Sequence, residues 1–271
     1  MLEITRKDYN RIYEREWTRL IRDPYHRLEL ETTLFFLNKY LTKNSFILDA
    51  GSGPGRYTIE LAKKGHNLVL LDLSEKNVEF AKQKIKEEGV ENKVKECIAG
   101  SITDLSRFKD NSFDSVLCLG GALSHIHPEK ERKKVITELI RISKKNAPIF
   151  VSVMGRLSII NLSLVVQNEE IKKKHFLNYS LTGDDFYWFG RKRFAHYFLL
   201  EELKKLFDTK KVKFITQVGL EGLASSQISL INELNNNKKA WKNWIAVHQK
   251  YCTSPSVADV SNHFMVIYKK L

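Results

Sequence analysis

Short apolar runs alternate along this chain with segments whose apolar positions recur at helical spacing, the pattern of an α/β protein in which strands and helices take turns. The runs at 46–48, 68–71, 94–98, 113–119, 147–153, 212–218 and 263–268 predict seven strands. Between the first two, a helical pattern runs over 56–64 and stops at Gly65. After the second, Ser74 is placed to cap a helix whose stripe is Val78, Ala81 and Ile85 and which Gly89 ends. Val135, Ile136, Leu139 and Ile140 form the stripe of a further helix, and 199–207 predicts another. The first 42 residues read as two helices parted at Pro24, the second with Leu30, Leu34, Leu37 and Leu41 on one face and the first with Tyr9, Tyr13 and Trp17 on one face. Two stretches break the alternation. The segment 155–195 holds a lysine-rich helix near 169–174 and the cluster Phe186, Tyr187, Trp188 and Phe189; 221–259 holds Trp241, Trp244 and His248 on one helical stripe.

The first strand ends in Asp49 and turns through Ala50, Gly51, Ser52, Gly53, Pro54 and Gly55 before its helix, and the second strand ends in Asp72. Glycines in such a turn permit positive φ and let a ligand lie on bare main chain, while the following helix aims its free N–H groups at the turn. This predicts a nucleotide-like ligand. A dinucleotide fingerprint requires a sixth-position glycine, and Arg56 stands there.

The set Asp49, Gly51, Gly53, Gly55 and Asp72 resembles motif I of the class I, Rossmann-like methyltransferases that use S-adenosylmethionine, of the small-molecule, UbiE or type-11 kind. The resemblance covers 46–154 well, the pattern from 199 onward in part, and the two insertions hardly at all. It implies a doubly wound, mostly parallel seven-stranded sheet of order 3-2-1-4-5-7-6 with helices on both faces and helical insertions after strands five and six. It implies S-adenosylmethionine as cofactor and S-adenosylhomocysteine as product, with Asp49 toward the methionine end, Gly51, Ser52, Gly53 and Gly55 under the ribose and methionine, and Asp72 on both ribose hydroxyls. A carboxylate suits that last task because it accepts two hydroxyl hydrogens in charge-assisted bonds. Leu73 follows that acid. On the adenine side Ser101 stands where an acid is usual, and Ile102 packs on the ring. Leu119 and Gly120, at the tip of strand four, face the methyl group. No N-P-P-Y type tetrapeptide follows that strand, which argues against the amino-group methylases that carry one. His125 and His196 are the candidate bases, both optional because the cofactor's methyl is already electrophilic. Tyr13, Tyr187, Trp188 and Tyr197 are the candidate substrate contacts. The aromatic face of the first helix fits a lid over the cofactor and equally fits docking onto the core.

Composition adds bounds. The 271 residues, 42% of them apolar, allow one domain at 43–271 behind a helical segment at 1–42, with insertions at 155–195 and 221–259 that can fold over the carboxyl edge of the sheet. No apolar run reaches the roughly 18 residues of a membrane span, and the charged N-terminus lacks a signal core, so a cytoplasmic protein without a membrane partner is expected. Cys97, Cys118 and Cys252 read as buried thiols, with no metal. The net charge of +13 is dispersed over helix faces and short clusters. A small-molecule methyl acceptor is therefore favoured over nucleic acid, in a monomer or homodimer. An RNA methyltransferase, and a non-catalytic protein that senses the cofactor or its product, stay open.

Overall fold

The computed structural model describes residues 1–165, 168–188 and 191–271, with only the main chain of Trp188 and Arg191; Phe189 of the aromatic cluster lies outside the described residues. Helices α1 (Leu2–Arg19) and α2 (Pro24–Tyr40) come first, and Asp23 caps α2 by accepting the His26 amide at 3.0 Å. The alternating half follows as β1 (Phe46–Ala50), α3 (Arg56–Lys63), β2 (Asn67–Asp72), α4 (Glu75–Glu87), β3 (Val94–Ala99), β4 (Ser115–Cys118), α5 (Glu129–Ile142) and β5 (Pro148–Met154). Next come α6 (Arg156–Val165), α7 (Asn168–Ile171), α8 (Lys174–Thr182), β6 (Asp184–Trp188), β7 (Arg191–His196), α9 (Leu200–Leu206) and β8 (Val212–Gly219). The chain closes with α10 (Ile228–Leu234), α11 (Lys238–Tyr251), α12 (Pro255–Asp259) and β9 (His263–Lys270).

The main sheet runs β3-β2-β1-β4-β5-β9-β8, parallel through β5 and antiparallel where β9 lies between β5 and β8. Counted within that sheet, the order is 3-2-1-4-5-7-6, as the resemblance implies. The middle strands β1, β2, β4, β5 and β9 are buried on both faces, which is why they read as near-continuous apolar runs, whereas the edge strands β3 and β8 are partly exposed. Leu48, Val116 and Val151 pack with Val135 and Leu139 of α5 on one face. Their neighbours Ile47, Leu117 and Phe150 pack with Leu37 of α2 and Leu61 of α3 on the other.

The insertions differ from the expectation in two ways. The one after β5 is not wholly helical, since β6 and β7 pair as an antiparallel hairpin beside the three helices. Strand alternation explains it: Phe194 packs against His127 and Phe186 on one side, while Arg193, Ala195 and Tyr197 line a cavity on the other. The second insertion divides, with Val257 and Ala258 of α12 against Gly219 at the carboxyl end of β8 and its tryptophan helix on α2. Trp241, Trp244 and Ile245 pack on Tyr25 and Leu28 of α2, and His248 Nε2 meets Thr32 Oγ1 at 2.9 Å.

Candidate functional site

Three glycines of the turn after β1 hold positive φ, +79° at Gly51, +55° at Gly53 and +82° at Gly55. At Gly51 a Cβ would come within 2.4 Å of the Ala122 side chain, so the turn is pressed against the β4 loop. At Gly53 a Cβ would meet nothing within 4 Å, because that glycine faces open space. Asp72, at the tip of β2, fixes the turn from the side. Its Oδ2 accepts the Gly53 amide at 2.8 Å, and its Oδ1 accepts the Ser74 amide at 2.9 Å and the Asn77 side-chain amide at 3.0 Å. Burial nonetheless raises the Asp72 carboxyl above its usual range. Asp49 is buried more deeply and accepts one hydrogen bond, from Thr58 Oγ1 at 2.7 Å. Burial, then the Asp72 charge, pushes its carboxyl up to about 6.

These groups open into a cavity of about 900 Å³, counting the part open to solvent. Asp49, Gly51, Ser52, Gly53, Asp72, Leu73, Ser101, Ile102, Leu119 and Gly120 line it, so nearly every residue assigned to cofactor binding is brought to one place. Gly55 stands behind the wall as the left-handed residue that starts α3. The Ser101 hydroxyl is already engaged, with Thr103 Oγ1 at 2.8 Å and the Thr103 amide at 3.2 Å.

Helix α1 supplies the opposite wall through Leu2, Thr5, Tyr9, Glu16 and Arg19. Sequence reasoning missed Glu16 and Arg19, and Thr58 and Asn77 that hold the two acids. The aromatic face divides: Tyr9 lines the cavity, whereas Tyr13 and Trp17 pack on Phe80 of α4. The Arg56 guanidinium lies 3.4 Å from the Trp17 ring centroid and donates to the Trp17 carbonyl at 2.8 Å, which ties α1 to α3. Covering the cavity and docking are thus done by different residues of one helix.

His125 sits where this cavity meets a second one of about 310 Å³, lined also by Met154, Asp185, Arg193, Ala195 and Tyr197. Its Nδ1 lies 3.0 Å from the Phe194 carbonyl, an acceptor only, so Nδ1 carries the proton and Nε2 keeps its lone pair. The Tyr9 hydroxyl donates to that Nε2 at 3.0 Å and accepts from Arg193 at 3.4 Å. Burial, then the Arg193 charge, pushes the imidazolium of His125 down to about 4, so the ring is neutral near pH 7. Burial pushes the Tyr9 phenol up to about 12.

The other candidates lie elsewhere. His196 occupies the far side of β7, with Nδ1 at 2.6 Å from Asp184 and its ring packed on Phe198, a cross-tie of the hairpin to α9 through Glu202. Tyr13 and Tyr187 line neither cavity, and Tyr187 is exposed. Tyr197 lines the second cavity. The Trp188 side chain lies outside the described residues.

Behind the α1 wall is a charged cluster that the sequence did not announce. Arg19 Nη1 meets Glu29 at 2.5 Å, and His263 Nδ1 lies 2.8 Å from Glu221 and 3.4 Å from Glu29. Glu29, Glu221 and His263 offer ligand atoms within 4.8 Å of one another, a spacing a metal could use, but Arg19 and the imidazolium of His263 already supply the countercharge. Glu29 and Glu221 raise the His263 imidazolium above its usual range.

Comparison with known proteins agrees with this geometry. Residues 47–146 match the family described as a methyltransferase domain. The glycine/sarcosine N-methyltransferase of Aphanothece halophytica is 25% identical over 139 residues, 51% of this chain and 48% of that one. The chain thus spans about half the length of the curated relatives it matches. Among solved structures, a Methanosarcina mazei S-adenosylmethionine-dependent methyltransferase superposes with a TM-score of 0.58 at 20% identity, covering 87% of this chain and 97% of the other. The 1,6-didemethyltoxoflavin-N1-methyltransferase of Burkholderia thailandensis, solved with 1,6-didemethyltoxoflavin and S-adenosylhomocysteine bound, gives 0.59 at 16% identity, covering 99% and 87%. With the strand order, the acid-tipped glycine turn and the matched region in agreement, residues 47–146 form a methyltransferase domain within a class I, Rossmann-like fold, the kind whose methyl donor is S-adenosylmethionine.

Proposed function

We propose that this protein transfers a methyl group from S-adenosylmethionine to a small-molecule acceptor. One observation carries the reading: the cavity at the strand tips, with Asp72 beside a bare Gly53, meets a second, smaller cavity at His125 that Asp185 and Arg193 also line. Asp72 would take the ribose hydroxyls, Leu73 and Ile102 would flank the adenine, and Asp49 with Arg19 would meet the amino and carboxylate ends of the methionine. The open face at Gly53 and the two buried acids fit such a group. When bound, the cofactor would supply an electrophilic methyl on sulfur for the acceptor's lone pair.

The protein's part is to hold the acceptor in line and to exclude water. His125 Nε2, now occupied by the Tyr9 hydroxyl, is placed to accept a hydrogen bond from the acceptor and aim its lone pair. With its conjugate acid near 4, His125 orients the acceptor better than it stores a proton. Tyr9, on α1, covers the junction of the two cavities, and α1 serves as the lid.

The names of similar proteins support a small acceptor, since glycine or sarcosine and 1,6-didemethyltoxoflavin are small molecules. The +13 charge favours RNA as the second reading. Incubation with methyl-labelled S-adenosylmethionine, a metabolite panel and total RNA separates them. Label in a small molecule is the expected result. Label in RNA, with binding that falls with salt at a slope near −0.7 per phosphate contact, would overturn it. Cofactor binding without transfer to any acceptor would favour a sensor.

A further inference from the structure

The second cavity is a built site. Asp185 is 4% exposed and accepts the Tyr187 amide through Oδ1 at 3.0 Å, while among the described residues its Oδ2 accepts no hydrogen bond. Tyr197 is 7% exposed, and its hydroxyl has no hydrogen-bond partner among the described residues. Both residues line the cavity, so a ligand there can meet the Asp185 carboxylate and the Tyr197 hydroxyl. Arg193 lines the same space. Asp185 pairs with Ala195 across the hairpin, and Arg193 stands two residues from Ala195 on β7, beside the irregularity between Asp185 and Tyr187.

One acid and one base on a common face make a site with no net charge. A purely cationic ligand would meet Arg193, and a purely anionic one would meet Asp185. We infer that this cavity holds a small zwitterion, with its ammonium group on Asp185 and Tyr197 and its carboxylate on Arg193. Burial raises the Asp185 carboxyl above its usual range, a cost that an ammonium group would offset. Met154 and Ala195 border the space between the charged ends, in a cavity of about 310 Å³ counting the part open to solvent, which limits the ligand to a short aliphatic chain. The inference rests on the methyl-transfer reading for what becomes of the molecule, though not for where it binds.

The test is calorimetric titration of the full chain, with and without S-adenosylhomocysteine, using glycine, β-alanine and 4-aminobutanoate against butylamine and butanoate. At least one zwitterion should bind about tenfold more tightly than either singly charged analogue, since a hydrogen bond to a charged group contributes roughly 1.5–3 kcal/mol. Asp185→Asn should abolish that preference while its S-adenosylhomocysteine affinity matches the parent, and Tyr197→Phe should weaken the zwitterion several-fold. If Asp185→Asn does not fold, Tyr197→Phe decides. Butylamine or butanoate binding as tightly as the best zwitterion, no zwitterion binding at all, or variants that bind it like the parent would overturn the inference. Failure to bind S-adenosylhomocysteine would instead overturn the cofactor reading, and the titration without it still judges this one.

Discussion

Asp49 and Asp72 are both carboxylates at strand tips, yet their surroundings differ. Asp72 is held by three hydrogen bonds and Asp49 by one, and Asp49 is pushed up to about 6. A ligand amine beside Asp49 requires the carboxylate form. Affinity for S-adenosylhomocysteine should therefore rise as pH rises from about 5 to 7, because the free protein must release a proton near 6 on binding. Asp49→Asn should bind more weakly and lose that dependence; titrations across this range check it, and a flat profile in the parent would remove Asp49 from the site. Both acids and the glycines were legible because a strand, a glycine turn and a helix each leave a local mark. Thr58 and Asn77 were not, since nothing in a helical serine, threonine or asparagine says which acid it will hold.

Among the elements, α1 shows how a short pattern misleads. Tyr9, Tyr13 and Trp17 are spaced by four, and on a helix of 3.6 residues per turn each step of four drifts by about 40°. Two steps carry the row from the cavity at Tyr9 to Phe80 at Trp17. The face toward the cavity is instead Leu2, Thr5, Tyr9 and Glu16, a mixed row without an apolar signature. Trp17→Ala should loosen α1 by about 1 kcal/mol through the lost Arg56 contact and weaken S-adenosylhomocysteine several-fold. Calorimetry with limited proteolysis of α1 measures it, and unchanged affinity would separate the docking of α1 from the site. The β6–β7 hairpin was hidden for a related reason: the period-two row Arg193 to Phe198 lies inside an aromatic segment that reads as a cluster until its partner strand is known. Nor could the sequence say that the second insertion covers α2, because its tryptophan stripe shows that something is covered without showing what.

For the whole molecule, the strands followed from the alternation and their order from the resemblance, while the way α1 and α2 are tied to the sheet depends on contacts far apart in the chain. Arg19, Glu29, Glu221 and His263 come from α1, α2, the segment after β8 and the start of β9. The His263 imidazolium is raised above its unfolded value of about 6.5, so its stabilising contribution is complete below that pH and is lost as pH rises through the folded value. The lowered histidines His26, His66, His125 and His248 act in the opposite sense, and their effect is finished by about 6.5. The melting temperature should therefore decline as pH rises above about 6.5, and His263→Gln should flatten that decline. A parallel decline in both proteins would place its cause elsewhere.

The central claim is that the cavity at the strand tips binds the cofactor with Asp72 on its ribose. Calorimetric titration of S-adenosylhomocysteine into the parent and into Asp72→Ala, with melting curves to show that both are folded, tests it most directly. Two bonds to a charged group contribute roughly 1.5–3 kcal/mol each, so the account predicts a dissociation constant at least about a hundredfold higher in the variant. Equal affinity in the two folded proteins would contradict it.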